Sequence, residues 1–228
     1  MRYVCSDPHG EYEAFRAALD AVKFSDRDVL YICGDVIDKG KEPIRLWNFI
    51  RAQKNIRCIM GNHEWALLHE ADAYKERGLG REEVLARLRE RYVSDGQELT
   101  QDSLDDMRAL PFYLEEEDFI CVHAGLPFRS GVPVHPSAAQ PEELLFDRRF
   151  KERKATFSDK CVFFGHTPTR YLYNEDKVVA YKKPGVKTAL SVGDYCKVHL
   201  DLGSDLSHTI GLFCIDTLFV TYAKITDR

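Results

Sequence analysis

Residues Cys58 to Trp65 read CIMGNHEW, and the change of character within this stretch decides which fold to expect. The apolar run Ile56 to Met60 stops at Gly61; an amide, an imidazole and a carboxylate follow at once, and a helical pattern begins. A short, continuously apolar run ending this way reads as a strand buried on both faces, with chemistry placed where it meets a helix. Tyr3 to Cys5, Val29 to Cys33, Ile120 to Val122 and Cys161 to Phe164 have the same form. Between the early runs lie the amphipathic stretches Tyr12 to Val22 and Pro43 to Ala52, with Pro43 suited to a first helical turn. Alternation of this kind predicts an α/β fold.

After Glu64 the pattern turns mostly helical as far as Pro111. Leu67, Ala71 and Tyr74 share one face, and Val84, Leu85, Leu88 and Tyr92 form a second stripe whose outer side is charged and solvated. Ser103 with Asp106 reads as the capping box of a last helix. The stretch from about 65 to 110 is therefore expected to be a helical excursion within a single domain spanning 1–228. Leu126 to Pro141 is proline-rich and predicts a loop, whereas Val198 to Leu202 and Gly211 to Ala223 predict late strands.

The 228 residues are 44% hydrophobic and 30% charged, which suits one soluble globular unit. A net charge of −5 argues against a broad nucleic-acid-binding surface, although a local cationic pocket remains compatible with it. No apolar run approaches the roughly 18 residues of a membrane span, and Met1-Arg2 leads straight into a strand, so no signal peptide is expected. Seven cysteines without a CxxC pair, five of them in apolar runs, predict buried reduced thiols and a cytoplasmic protein.

The chemistry sits in five polar clusters, one after each run: SDPHG (Ser6 to Gly10), GDVIDKG (Gly34 to Gly40), GNHE (Gly61 to Glu64), HAG (His123 to Gly125) and GHT (Gly165 to Thr167). Ligands bind open α/β sheets beyond the carboxyl ends of strands. If the strands are parallel neighbours, Asp7, His9, Asp35, Asn62, His123 and His166 converge on one rim. Two aspartates, one amide and three imidazoles suit Mn²⁺, Fe or Zn²⁺ better than calcium or a thiolate zinc site. A lone histidine is more often structural than a ligand; an ordered series of five strand-end clusters is not explained that way. His69, His135, His199 and His208 lie outside these clusters and read as structural or exposed.

In this order the motifs resemble the phosphoprotein phosphatase family within the calcineurin-like metallophosphoesterases, over roughly residues 3 to 215, and most closely its compact bacterial and phage-type members. LLFDRRF (Leu144 to Phe150) resembles their LLWxR segment, and VHLDLG (Val198 to Gly203) resembles a late IDTG strand. The resemblance implies a β-sandwich flanked by helices with a metal site at the strand ends. Carried over by position, it implies that Asp7, His9 and Asp35 hold one divalent ion and that Asp35, Asn62, His123 and His166 hold the other, with manganese favoured. It also implies phosphoester hydrolysis by direct attack of a metal-bridging hydroxide, His63 as general acid, Asp38 as its orienting partner, and Arg148 and Lys39 as phosphate ligands. Glu64 is expected to be structural.

The substrate expected from the resemblance is a phosphoprotein, as for a serine/threonine phosphatase. The alternative is a dinucleoside polyphosphate such as diadenosine tetraphosphate, or another small phosphoester. Gly165-His166-Thr167-Pro168 fits both branches, because related nucleases and purple acid phosphatases usually carry GHxH. The tetraphosphatase branch typically has GNHD, so Glu64 leans toward the phosphatases. A non-catalytic scaffold is the remote third reading, disfavoured because no expected ligand is missing. Cysteine-based phosphatase chemistry is excluded, since no cysteine is followed six positions later by arginine. GDVIDKGK (Gly34 to Lys41) is one residue too long for a P-loop and has no Ser or Thr after its last lysine. Most protein phosphatases of this type carry arginine where Met60 and Lys39 stand here, which predicts a weaker phosphate grip that depends on Arg148.

Overall fold

The computed structural model describes residues 1–153, 157 and 159–225. The first half alternates as expected: β1 (Arg2–Cys5), α1 (Tyr12–Ala21), β2 (Val29–Ile32), α2 (Pro43–Arg51) and β3 (Ile56–Cys58). Three helices then run without an intervening strand: α3 (Asn62–Glu76), α4 (Arg81–Tyr92) and α5 (Gln101–Arg108). The second half contains β4 (Tyr113–Glu115), β5 (Phe119–Val122), a small hairpin of β6 (Phe128–Arg129) and β7 (Val132–Pro133), and α6 (Pro141–Leu145). It continues through β8 (Cys161–Phe164), α7 (Thr169–Tyr173), β9 (Val179–Lys182), β10 (Tyr195–His199), α8 (Ser204–Ser207), β11 (Thr209–Cys214) and β12 (Val220–Lys224).

These strands form two mixed five-stranded sheets, in the orders β12-β11-β1-β2-β3 and β4-β5-β8-β10-β9. Strands β1, β2 and β3 are parallel, as are β5, β8 and β10; the outer strands β11, β12, β4 and β9 run antiparallel to their neighbours. The five motif-bearing strands are thus divided between two sheets, not laid side by side in one. The side-chain alternation of β1 shows how the sheets stack. Tyr3 and Cys5 face a core shared with α1 to α5, and Val4 faces a second core where Tyr31, Ile59, Phe119, Phe163 and Phe213 interdigitate between the sheets. The outer face of the second sheet is covered by Leu126, Leu144 and Phe150. This is an α/β sandwich with helices on its flanks, the architecture implied by the motifs.

Several local expectations are corrected. Helix α5 is capped by Thr100, whose side chain accepts from Ser103 N at 3.1 Å, so Ser103 lies inside the helix and not at its cap. The run Gly211 to Ala223 is two strands separated by a turn, and Val198 belongs to a strand that begins at Tyr195. Leu126 to Pro141 is not wholly irregular, because it carries the β6–β7 hairpin. All seven cysteines are free and buried. Among the described residues, no helix is long and apolar enough to cross a membrane.

One buried cation ties the second sheet to the segment after α6. Lys197, only 2% exposed, donates to the carbonyls of Phe150, Lys151 and Arg153 at 2.6, 2.9 and 2.7 Å. Its ammonium also lies 4.8 Å from the Phe150 ring and 5.0 Å from Tyr181. Burial lowers its pKa from 10.5 to about 8. Lys197→Met should therefore cost about 2–3 kcal/mol in urea unfolding at neutral pH, by orphaning three carbonyls. Between the folded value near 8 and the ordinary 10.5, the unfolded chain binds the extra proton, so wild-type stability should rise with pH relative to the variant. A pH-independent difference would refute the lowered pKa.

Candidate metal centre

The five polar clusters meet where the carboxyl ends of the two sheets face each other, and backbone hydrogen bonds lace them together. Asp7 N donates to Gly34 O at 3.1 Å, His9 N to Asp35 O at 3.0 Å and Gly165 N to His123 O at 2.7 Å. The packing is close enough to exclude any side chain at two motif glycines. A Cβ at Gly61 would lie 2.2 Å from Asp35 N and Oδ1, and one at Gly165 would lie 2.0 Å from Asp7 Oδ2. The backbone is also forced into an uncommon conformation. Asp7, His9, Asp35, Asp38, Lys39 and His166 all have positive φ, between 40° and 71°. Each such residue costs on the order of 1 kcal/mol or more, and persists only where its surroundings over-determine it.

Glu64 supplies much of that determination. Its fully buried carboxylate accepts from four backbone amides: Asp35 and Gly61 at 3.0 Å through Oε2, Val36 at 2.8 Å and Ile37 at 3.0 Å through Oε1. The GNHE turn and the GDVID loop are thereby fastened to one anchor.

Asp35 is the hub of the site. Its Oδ2 lies 3.7 Å from His9 Nε2, 3.8 Å from His63 Nε2 and 3.5 Å from His123 Nε2, while Oδ1 accepts from His63 N at 2.9 Å. Two donor clusters share it: His9, Asp35 and His63, and Asp35, His123 and His166. Asn62 joins the second, with Oδ1 2.8 Å from His123 Nε2 and 2.7 Å from His166 Nδ1. Asp7 belongs to neither cluster; it is buried beside them, with its oxygens accepting from His166 N at 3.1 and 3.2 Å and from Ser6 Oγ.

The tautomers decide whether cations fit here. His9 Nδ1 lies 3.2 Å from Ile37 O and His123 Nδ1 2.8 Å from Cys33 O. A carbonyl only accepts, so both Nδ1 atoms carry the proton and both Nε2 atoms present lone pairs. Those lone pairs converge on a carboxylate oxygen and an amide. Acceptors crowded together in this way repel one another unless a cation lies among them, and the O/N donor set is one that Mn²⁺, Fe or Zn²⁺ accepts. Burial lowers His9 to about 4 and, with the neighbouring His123, lowers His166 to about 3; it lowers His123 as well. All three are therefore neutral near pH 7, as ligands must be. Burial would push Asp35 up, yet the imidazoles of His123, His9 and His63 outweigh it and hold the carboxyl below its usual range.

His63 behaves differently from the other imidazoles. Burial would lower it, but the hydrogen bond to Asp38 and the charge of Asp35 outweigh that and raise its pKa. Its Nδ1 lies 2.7 Å from Asp38 Oδ2. One histidine of the cluster is thus equipped to carry a proton while the rest are not. Two cations border the site. Lys39 Nζ donates to His9 Nε2 at 3.0 Å, and the exposed Arg148 is close enough for its charge to lower His166.

Met60 does not stand among them: it is 2% exposed and packs in the helix-side core. Asp201, which lies in the VHLDLG segment but received no role in the motif reading, is a further buried acid. It is 1% exposed, accepts from Gly203 N at 2.8 Å, and raises Asp7, whose pKa burial already pushes well up. Burial raises Asp201 itself to about 7. Its signals in the sequence were the likeness of VHLDLG to an IDTG strand and an aspartate set between two leucines.

Residues 2–195 match the model of the calcineurin-like phosphoesterase family. Two curated relatives are symmetrical bis(5′-nucleosyl)-tetraphosphatases. That of Erwinia tasmaniensis is 30% identical over 54% of this chain and 44% of its own length. That of Delftia acidovorans is 32% identical over 66% of this chain and 53% of its own. The chain thus spans about half the length of these relatives. Among solved structures, one described as a candidate diadenosine tetraphosphatase superposes with a TM-score of 0.67 over 97% of this chain and 92% of that one, at 16% identity. At that identity the likeness concerns the fold.

The anchoring role of Glu64 is open to direct measurement. In Glu64→Gln the amide carbonyl can serve two of the four N–H groups, but its NH₂ must face the other two. A loss of about 2–4 kcal/mol in urea unfolding is expected, with weaker Mn²⁺ binding by calorimetry. Unchanged stability and unchanged affinity would show that the four hydrogen bonds do not organise the site.

Proposed function

The chain belongs to the calcineurin-like phosphoesterase family, and from that premise we propose that it is a metal-dependent phosphoesterase hydrolase acting on dinucleoside polyphosphates. The observation that carries the chemical class is the convergence of three imidazole Nε2 atoms on one Asp35 oxygen, beside the His63–Asp38 pair. The substrate class follows the relatives, whose names specify bis(5′-nucleosyl) tetraphosphates. We read 1–228 as one catalytic unit. A phosphoprotein phosphatase is the second reading, favoured by Glu64 in the GNHE motif and by the LLFDR segment; the substrate comparison below decides between them.

In this proposal Asp7, His9 and Asp35 hold one divalent ion, and Asp35, Asn62, His123 and His166 hold the other, with manganese the preferred metal. When bound, such ions supply Lewis acidity: positive charge opposite the phosphoryl oxygens and a lowered pKa for water. The chain's own residues supply the rest. Asp38 keeps the proton of His63 on Nδ1, so that Nε2 points its own proton toward the leaving oxygen. Arg148 and Lys39 bind phosphoryl oxygens, which the net negative charge of the protein would otherwise repel. The raised pKa of His63 keeps the donor form populated close to neutrality.

His63→Asn should lower kcat by about 10²–10⁴-fold on an alkyl phosphate, and by much less on p-nitrophenyl phosphate, whose leaving group hardly needs a proton. Equal losses on both substrates would remove His63 from the proton-donor role.

The purified protein, loaded with Mn²⁺ and checked for two ions per chain by elemental analysis, should hydrolyse diadenosine tetraphosphate with a higher kcat/KM than phosphoserine, phosphothreonine or phosphotyrosine peptides. The reverse order would favour the phosphatase reading. No metal-dependent turnover of any of these would favour the scaffold.

A further inference from the structure

A half-open cavity of about 310 Å³ lies against the helix that begins at the candidate metal centre. Trp65, Leu68, His69 and Asp72 on α3 recur at i, i+3, i+4 and i+7, so they form one face of the helix toward it. Asn62 stands three residues before Trp65 on the same stripe, about 4.5 Å along the axis. The floor is apolar, made by buried Met60 and Leu68. The walls are aromatic: Trp65 and Phe112 meet edge to face at 5.4 Å and 69°, and His69 lies 4.4 Å from Trp65. Phe112 is held there because Met60 N donates to Pro111 O at 2.8 Å. The far end is polar, where Arg108 of α5 bonds the carboxylate of Asp72.

We propose that this cavity is the base-binding subsite of the enzyme, holding the purine of one nucleoside while its phosphate chain runs along the first turn of α3 to Asn62 and Asp35. The inference rests on the dinucleoside polyphosphate reading and adds to it the residues that recognise the base. An occupant here must combine a flat apolar body with an anionic tail. The corner between Trp65 and Phe112 offers one ring face for stacking and a second against the edge of the base. The Asp72–Arg108 pair offers an acceptor and a donor at the rim, matching the exocyclic amine and ring nitrogens of a purine. Met60 then has a function of its own. As a polarizable floor it fits beneath an aromatic ligand, where an arginine would fill the cavity.

Binding and turnover test this separately. The chain has two tryptophans, so Trp47→Phe leaves Trp65 as the sole indole reporter. In that variant AMP should quench the emission saturably, with or without Mn²⁺, whereas pyrophosphate should not. Quenching by neither, or by both alike, would overturn the subsite, as would stronger quenching by a phosphopeptide than by AMP. In turnover, Trp65→Leu should lower kcat/KM for diadenosine tetraphosphate about tenfold more than for p-nitrophenyl phosphate. His69→Ala, at an exposed position, should do the same to a smaller degree. Equal losses on both substrates would overturn the proposal while leaving the tetraphosphatase reading intact. AMP quenching without turnover of the tetraphosphate would support the pocket and remove the substrate reading instead.

Discussion

The site depends on one carboxylate that lies outside both donor clusters. Glu64 accepts four backbone N–H groups contributed by two separate motifs, and so converts a loop and a helix start into one rigid body. A buried acid with this many donors is costly to remove, because each orphaned amide would have to be satisfied by water that the packing does not admit. The same anchor explains why the amide and imidazole sit at the first turn of α3. Asn62 and His63 occupy the first two helical positions, and the third, Glu64, fixes where that turn stands relative to Asp35.

That rigidity has to oppose two kinds of strain. Six residues of the cluster adopt left-handed backbone conformations that only glycine accepts freely, and two aspartates lie buried within reach of each other's charge. Asp201 adds a third acid close enough to raise Asp7 further. Near pH 7 His9, His123 and His166 are neutral, so they bring no charge to offset these acids. Cations at Asp35 would relieve both the carboxylate repulsion and the crowding of acceptors, so metal binding there would be coupled to local stability by the same geometry.

Much of this was legible in the sequence because the signals were local. A buried strand must end in a turn, and a turn that contains histidine or aspartate where glycine alone would serve has to be explained. The runs before SDPHG, GDVIDKG, GNHE, HAG and GHT therefore located β1, β2, β3, β5 and β8 to within a residue or two. What the sequence could not place was anything decided by long-range packing. Nothing in the motif order says that β3 and β5 belong to different sheets, since that depends on which strands pair across the α3–α5 excursion. Thr100 displaced Ser103 as a cap because both fit the local pattern, and only tertiary packing chooses the helix start. Asp201 was inside a quoted motif yet received no role, because one acid in an apolar run looks like a solvated strand end until its burial is seen. Lys197 escaped for the opposite reason, as surface lysines are common and its three carbonyl partners lie 44 to 47 residues away.

Met60 shows how position and environment can give opposite readings of one residue. By alignment of motifs it occupies a place where an arginine would face phosphate, and its presence argues for a poor grip. By burial it belongs to the helix-side core, which in the proposed function would leave phosphate recognition to Lys39 and Arg148 at the rim. Two exposed cations are a modest grip for a lone phosphomonoester, but the demand differs for a polyphosphate. Such a substrate would bring several negative charges to the site, and its leaving group is itself a phosphate. It also carries a base that can be held apart from the reacting atoms. Binding energy gathered at a distant apolar subsite can then position the scissile bond, which is how a site with few cations can still discriminate among phosphoesters.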